Sequence, residues 1–320
     1  MTPLIAFGEA IVDMLSSRLG NDDQTEPETF TPYAGGAPAN VAVACARLGV
    51  PSRFLGMLGA DHFGDFLARE LAAHGVDTSG VARTREARTA LAFVSRDVDG
   101  ERTFDFYRPP AADLLYRVEH LPAGIFASPA ILHLCSNSLT EVPITETTMR
   151  LAEMAGRAGC LVSVDANLRH NLWHDGHAEI ARVTQLLDQA QLIKLSRDEL
   201  EYLRGDHPED DWLAERLAAG VRLIVITDGA GKVEARGVDL ALRVTPPRVK
   251  AVDTTAGGDA FIGALLAMLA EDGIEDEWYR DEPRLQRALE IACHCGAHAV
   301  TRPGAYAALP TRTDLEALKG

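Results

Sequence analysis

An α/β fold, with a mostly parallel sheet covered by helices on both faces and a small β appendage, is what this sequence predicts. Three observations lead to it: short apolar runs recur along the chain, stretches of helical periodicity separate them, and two regions break the alternation. The runs LIAFG (4–8), AILHLC (130–135), CLVSVDA (160–166), LIKLS (192–196) and LIVITDG (223–229) have the length of buried strands. Between them, ANVAVACARLG (39–49) and TETTMRLAEMAGRAG (145–159) place apolar residues three and four apart, the spacing of one helix face. Strands alternating with helices build parallel sheets, because each crossover helix lies against a sheet face. Residues 11–34 are polar and turn-rich, and residues 88–113 alternate polar with apolar side chains. Asp99-Gly100 falls between two such runs and marks a hairpin turn. The two segments together predict a small antiparallel sheet beside the main body. No repeat or linker-like stretch interrupts the chain, so residues 1–320 read as one domain carrying this appendage.

A net charge of −16 and a pI near 5.0 argue against nonspecific nucleic-acid binding and against docking on an anionic membrane. Lysine is scarce: only Lys194, Lys232, Lys250 and Lys319 occur, so arginine supplies most of the positive charge. No apolar run approaches the roughly 18–20 residues that span a bilayer. The opening MTPLIAFGEAIVDML carries acids where a signal peptide carries a basic region. Five cysteines, an odd number scattered along the chain, read as reduced thiols. A cytoplasmic protein is the expectation.

The strongest chemical signal is AVDTTAGGDAFIGALLAMLAEDG (251–273). Small residues Ala256, Gly257 and Gly258 at the start of an apolar helix leave backbone N–H groups uncovered, where the helix dipole attracts an anion. In that first turn Asp259 can serve as a general base on a hydroxyl while the amides stabilise phosphoryl charge. The competing reading makes Asp259 a helix cap only. A second signal is AGGAPANVAVACARLG (34–49): Gly35 and Gly36 let a polar ligand approach the backbone, and Asn40 offers an amide to hydroxyl groups. Alone, this segment reads first as a glycine turn before a core helix.

Together and in this order, the two segments closely resemble the ribokinase-like (PfkB) family of sugar kinases. The resemblance includes GEAIVD (8–13), GMLGADHFGDFLARELAAHGVDTSGV (56–81), DANLR (165–169), KLSRDELEYL (194–203), ITDGAGK (226–232), DTTAGGDAF (253–261) and AVTRPGAYAALP (299–310). Within the family, FYRPPAAD (106–113), LHLCSNSL (132–139) and DANLRHNLW (165–173) look most like fructokinases. The resemblance implies a three-layer α/β/α fold whose β-sheet lid, from segments near 11–34 and 88–113, closes over the sugar and pairs subunits into a homodimer. It implies ATP-dependent phosphorylation of the 6-hydroxyl of fructose, with Mg²⁺. Asp259 matches the family's base, and the backbone from Ala256 to Asp259 its anion hole. Asp13, Gly35, Gly36 and Asn40 match positions that hold sugar hydroxyls, with Arg108, Asn167 and Arg169 as further candidates. Glu199 matches the acid of Asn-x-x-Glu, which influences magnesium and phosphate binding. Thr227, Asp228, Gly229 and Gly231 match the loop beneath the nucleotide, and Cys293 falls on the adenine side. Asp253, Thr255, Ala299, Arg302 and Gly304 match ligand positions of a monovalent cation, which makes K⁺ a candidate activator.

The chain departs from the family at three points. AGGD replaces the commoner GAGD, which Ala256 accommodates if its φ is negative. Ser196 replaces the Asn of Asn-x-x-Glu, and Ala308 replaces a serine hydroxyl at the last cation position.

Rival readings fare worse. TDGAGKV resembles a phosphate-binding P-loop, but Ile226 stands at the first glycine position and Val233 follows Lys232. No GxGxxG occurs, which lowers a dinucleotide-dependent oxidoreductase. His170, His174 and His177 have helical spacing but lie in a polar stretch around Asp175-Gly176 and read as solvated. Among Cys293, His294, Cys295 and His298, neighbours one and two apart point to different helix faces, and no second ligand pair has zinc spacing. Cys45, Cys135 and Cys160 lie in apolar runs and read as core. A sugar-binding relative without activity would have lost Asp259, which is present. Among kinases the alternatives are a 2-keto-3-deoxygluconate kinase, in which Arg108 and Arg169 read a substrate carboxylate, and an aminoimidazole riboside kinase.

Overall fold

Period-two alternation along apolar strands builds the centre of the molecule, in a computed structural model that describes residues 1–19, 27–96, 102–108, 110–274 and 277–319. The elements run β1 (Leu4–Phe7), β2 (Ile11–Leu19), β3 (Phe30–Gly35), α1 (Ala37–Arg47), β4 (Ser52–Gly59), α2 (His62–Ala73), β5 (Asp77–Thr84), β6 (Leu91–Arg96) and β7 (Arg102–Tyr107). They continue with β8 (Ile131–Cys135), α3 (Val142–Arg157), β9 (Leu161–Asp165), α4 (Ile180–Leu187), β10 (Leu192–Ser196), α5 (Arg197–Arg204), α6 (Glu209–Ala219) and β11 (Leu223–Thr227). The chain closes with β12 (Val233–Arg236), β13 (Ala241–Val244), α7 (Gly257–Asp272), α8 (Glu282–Ala299) and α9 (Arg312–Lys319).

One sheet has the order β13-β12-β11-β10-β9-β8-β1-β4-β5. Its strands are parallel except at β12, which pairs antiparallel with both neighbours. Alternate residues divide between two helical layers. Leu132, Val162, Ile193 and Ile224 face α3 to α6, whereas Ile131, Leu161, Leu192 and Leu223 face α1, α7 and α8. The predicted three-layer α/β/α arrangement is therefore present. Helix α7 is apolar nearly all round because it is buried between the sheet and its helical neighbours, with Leu265 and Leu269 fully enclosed. Helices α1 and α7 cross closely: a Cβ on Gly263 would stand 2.5 Å from that of Ala44.

The second sheet is the expected appendage, in the order β3-β2-β6-β7. It is mixed rather than antiparallel, because β2 and β6 pair in parallel, Val12 opposite Leu91 and Asp13 opposite Ala92. Each antiparallel pair, β2–β3 and β6–β7, has its open end on the main body, β3 passing directly into α1. Both first strands leave in the same direction, so they lie side by side with the same sense. The predicted turn at Asp99-Gly100 lies outside the described residues, as do 20–26 and Pro109 of the same two segments. Among the described residues no helix is long and apolar enough to cross a membrane.

Candidate active site

The C-terminal ends of the parallel strands converge under the appendage, the usual ligand-binding edge of an open α/β sheet. A pocket of about 510 Å³ opens there. It brings together Asp13, Gly36, Asn40 and Arg108 with Asn167, Arg169, Thr255 and Asp259, residues drawn from five separate stretches of sequence. Strands β2 and β7 roof it with Ile11, Phe104 and Phe106.

Its floor is the start of α7. Ala256 caps the helix with φ −102°, so a side chain is tolerated where relatives commonly carry glycine. The two glycines that follow answer to packing: a Cβ on Gly257 would lie 2.8 Å from Val300 Cγ1, and one on Gly258 would lie 3.2 Å from Lys194 Nζ. The first-turn N–H groups of a helix have no intrahelical acceptors and point outward along the dipole; here that of Gly257 donates to the Thr254 carbonyl at 3.3 Å just before the helix. Asp259 stands in this turn, 8% exposed, and its Oδ2 accepts a hydrogen bond of 2.6 Å from Asn40 Nδ2. Burial raises the Asp259 pKa above the usual carboxylate value; the Asn40 hydrogen bond, Lys194 and Arg169 pull it back. The α1–α7 crossing delivers that contact between residues far apart in sequence.

The glycine turn before α1 is required for two reasons. Gly36 has φ +103°, and a Cβ there would meet the Glu9 carbonyl at 2.5 Å. A Cβ on Gly35 would meet Asp13 Oδ2 at 2.5 Å, so the missing side chain is what lets the buried carboxylate lie over the turn. Asn167 also takes a left-handed conformation, φ 37°, stabilised by its N–H donating to Asp165 Oδ1 at 3.2 Å. Arg169, next but one, is exposed at the pocket's edge.

Arg108 lines the pocket but is not free to clamp a carboxylate. Its Nε and Nη2 lie 2.7 and 2.6 Å from Asp113 Oδ2, and Nη2 also donates to the Asn137 carbonyl at 2.9 Å. Both partners of this ion pair are buried, so the fork is committed within the protein. Of the two arginines behind the keto-acid kinase reading, Arg108 is thereby engaged inside the protein, while Arg169 stands at the pocket's edge. Glu9, Asn137, Phe104 and Phe106 were not predicted. Glu9 Oε1 accepts from Asn137 Nδ2 at 3.0 Å and from the Ala37 N–H at 3.3 Å. Burial raises the Glu9 pKa, with Arg108 opposing.

The candidate nucleotide residues lie along the ends of β10 and β11. Ser196 and Glu199 form a capping box on α5: Glu199 N–H donates to Ser196 Oγ at 3.2 Å, and Ser196 N–H to Glu199 Oε2 at 2.7 Å. Glu199 Oε1 takes the Leu168 N–H at 2.7 Å. Serine thus replaces asparagine as a helix cap, and both Glu199 oxygens hold backbone. Thr227 ends β11, and Asp228 to Gly231 form a turn in which Gly231 N–H donates to the Asp228 carbonyl and Gly229 has φ 47°. Strand β12 follows, where a P-loop would lead into a helix. Cys293 is buried in the apolar layer of α7 and α8, its thiol pushed up to about 12 by burial, so its side chain packs in the core. His170 accepts the Ala178 N–H and packs against Tyr202, which accounts for it structurally.

Asp253 joins two loops: Oδ1 accepts from Thr255 N–H at 3.0 Å and Oδ2 from Gly304 N–H at 2.8 Å. Its own N–H donates to the Val300 carbonyl, and Arg302 N–H to that of Ala299. The five candidate cation residues are therefore one neighbourhood.

A carboxylate at the first turn of a buried helix, at the floor of a roofed polar pocket, defines a kinase that phosphorylates a small hydroxylated substrate. The chain belongs to the pfkB family of carbohydrate kinases, whose family model matches residues 1–312. Fructokinase-1 of Oryza sativa subsp. japonica is 39% identical over 313 residues, 98% of this chain and 96% of that one. The structure of fructokinase with bound ATP from Xylella fastidiosa superposes with a TM-score of 0.92 at 41% identity, covering 99% of this chain and 97% of the other. Fructokinase from Vibrio cholerae O395, solved with fructose, ADP and calcium ion, superposes at 0.87 with 32% identity, covering 99% and 98%.

Proposed function

We propose that this chain is an ATP-dependent fructokinase that transfers the γ-phosphoryl group to the 6-hydroxyl of D-fructose, giving fructose 6-phosphate and ADP. The observation that carries the mechanism is Asp259, held by Asn40 at 2.6 Å in the same pocket as Asp13 and beside the start of α7. The relatives named above, fructokinases matched over nearly the whole chain, support the sugar.

Asp13 and Asn40 hold sugar hydroxyls. Asn40 Nδ2 fixes one Asp259 oxygen, so the other is presented to the reacting hydroxyl. As the sugar O6 lone pair forms its bond to phosphorus, its proton passes to Asp259 and the bond to the bridging oxygen breaks toward ADP. The raised pKa brings the carboxylate nearer to working pH, where it is a better base. Charge on the moving phosphoryl group is met by the first-turn amides of α7, fixed in place before reaction. Phe104 and Phe106 keep water from the reacting atoms.

The donor set fits a magnesium ion carried on the nucleotide's phosphates. Glu199, whose oxygens both hold backbone, would meet it through bound water. When bound, the ion offsets phosphate charge. The carbonyl-rich loops joined by Asp253 suit a potassium ion, with Ala308 leaving one oxygen fewer than in relatives carrying serine there; a higher rate in KCl than in LiCl is its test. Dimerisation through the lid belongs to the same proposal. Phe93 packs edge-on with Phe30 at 5.1 Å, and Tyr107 beside it is 62% exposed. Sedimentation at micromolar concentration tests it, a monomer with and without fructose being the contrary result. Five buried free thiols support a cytoplasmic location.

An ADP-release assay over fructose, ribose, 2-keto-3-deoxygluconate and aminoimidazole riboside tests the substrate. Fructose should show the highest kcat/KM, and equal or better turnover of another acceptor would overturn the assignment.

A further inference from the structure

Lysine 194 has no part in the reaction as described, yet it occupies a position that strands rarely allow. It interrupts the apolar run LIKLS of β10 and lies opposite Asp165 in the register with β9. Its Nζ is 2.9 and 3.1 Å from the two Asp165 oxygens, with side-chain exposures of 8% and 3%. Isolating such a pair from water is costly and seldom improves stability over an apolar pair. On its other side Nζ is 3.2 Å from where a Cβ of Gly258 would stand. The ammonium therefore sits between Asp165 and Gly258 in the first turn of α7.

We propose that Lys194 is a positioning residue for phosphoryl transfer: Asp165 anchors its ammonium beside Gly258, where its positive field supports the anion site and the Asp259 carboxylate next to it. This rests on Asp259 being the base. The pair is an oriented dipole with its positive end toward the helix start, in surroundings where water cannot screen it. The bare Gly258 leaves room for the approach, since a Cβ there would crowd the ammonium at 3.2 Å.

The groups facing Asp259 come from four elements. Asn40 from α1 donates a hydrogen bond, Lys194 from β10 and Arg169 after β9 contribute positive charge, and Cys135 ending β8 and Asp165 ending β9 lie near it. Burial works against charge on Lys194, but Asp165, Glu199 and Asp259 outweigh it and the net direction is upward, so the ammonium persists. His133, on β8, is pushed down to about 3 by burial and by Lys194, and adds no charge.

The two members of the pair should move Asp259 in opposite directions, which a purely structural role would not do. In Lys194→Met the acid limb of the kcat/KM profile for fructose should move up by about one pH unit, as for loss of a close opposite charge. In the same variant kcat should fall roughly ten- to a hundredfold, with KM for fructose within about twofold because Lys194 does not line the pocket. In Asp165→Asn the limb should move down. The variant Lys194→Met/Asp165→Asn leaves no lone buried charge, and its limb should lie between those of wild type and Lys194→Met. Circular dichroism and thermal melts confirm folding, and the double variant decides if a single one does not fold. A limb unmoved in the double variant, or moved the same way by both single changes, overturns the proposal. Failure of the base assignment is separate: there, Asp259→Asn would keep near-wild-type kcat.

Discussion

Replacing Asp259 by Asn should make the protein more stable and nearly inactive at once. Asn keeps the shape and can still present an oxygen to Asn40 Nδ2, now 2.6 Å from Asp259 Oδ2. What is lost is an acceptor for the hydroxyl proton, worth about 10²–10⁴ in kcat. The stability change has the opposite sign. The folded-state pKa of Asp259 lies above its unfolded value because of burial. Such a group contributes stability that is fully present below the unfolded pKa and is lost as pH rises through the folded pKa. At neutral pH the ionised Asp259 therefore destabilises the fold, and an uncharged Asn removes that penalty. Thermal melts at pH 7 should show a higher Tm for the variant, the gain shrinking toward pH 4. Rates measured at saturating ATP and fructose should show the loss of turnover, with nucleotide affinity little changed. If Asp259 were only a cap, kcat would stay within a few-fold, because Asn caps as well as Asp. That result would refute the reasoning.

Three further outcomes follow from the same geometry. Asn40→Ala removes the hydrogen bond that lowers the Asp259 pKa, so the acid limb of kcat/KM should move to higher pH and kcat should fall about tenfold. Gly36→Ala forces a side chain onto φ +103° and against the Glu9 carbonyl; denaturant titration should show a loss of at least about 1–3 kcal/mol, with weakened sugar binding. Arg108→Met strands the buried Asp113 carboxylate, and should cost about 3–5 kcal/mol in the same titration.

Much of the architecture was legible because it rests on local pattern. The strands β1, β8, β9, β10 and β11 are short, largely apolar runs, and the start of α7 is marked by residues of small size. Strands β4, β12 and β13 were less visible: β4 carries Arg53 and two glycines, and β12 and β13 are four residues each with alternating exposure. The mixed pairing of the lid was hidden because it depends on how two hairpins are rooted in the body. Asn40 and Asp259 were both singled out, but only the close crossing at Gly263 makes them partners. Glu9 is one of two acids in GEAIVD, and its place two residues past the buried strand β1 is the signal that marks it. Arg108 shows the converse limit. Its spacing of five residues from Asp113 gives no sign that the two pair, so sequence alone left its fork free. Phe104 and Phe106 belong to a period-two alternation, and alternation alone does not say which of its two sides faces the pocket.

The most direct test of the central claim is turnover of D-fructose by the purified protein with ATP and magnesium, the product read by phosphorus and carbon NMR. The account predicts stoichiometric ADP and a phosphate ester on C6 alone, in wild type and not in Asp259→Asn. A phosphate on C1, or ADP release that does not depend on fructose, would contradict it.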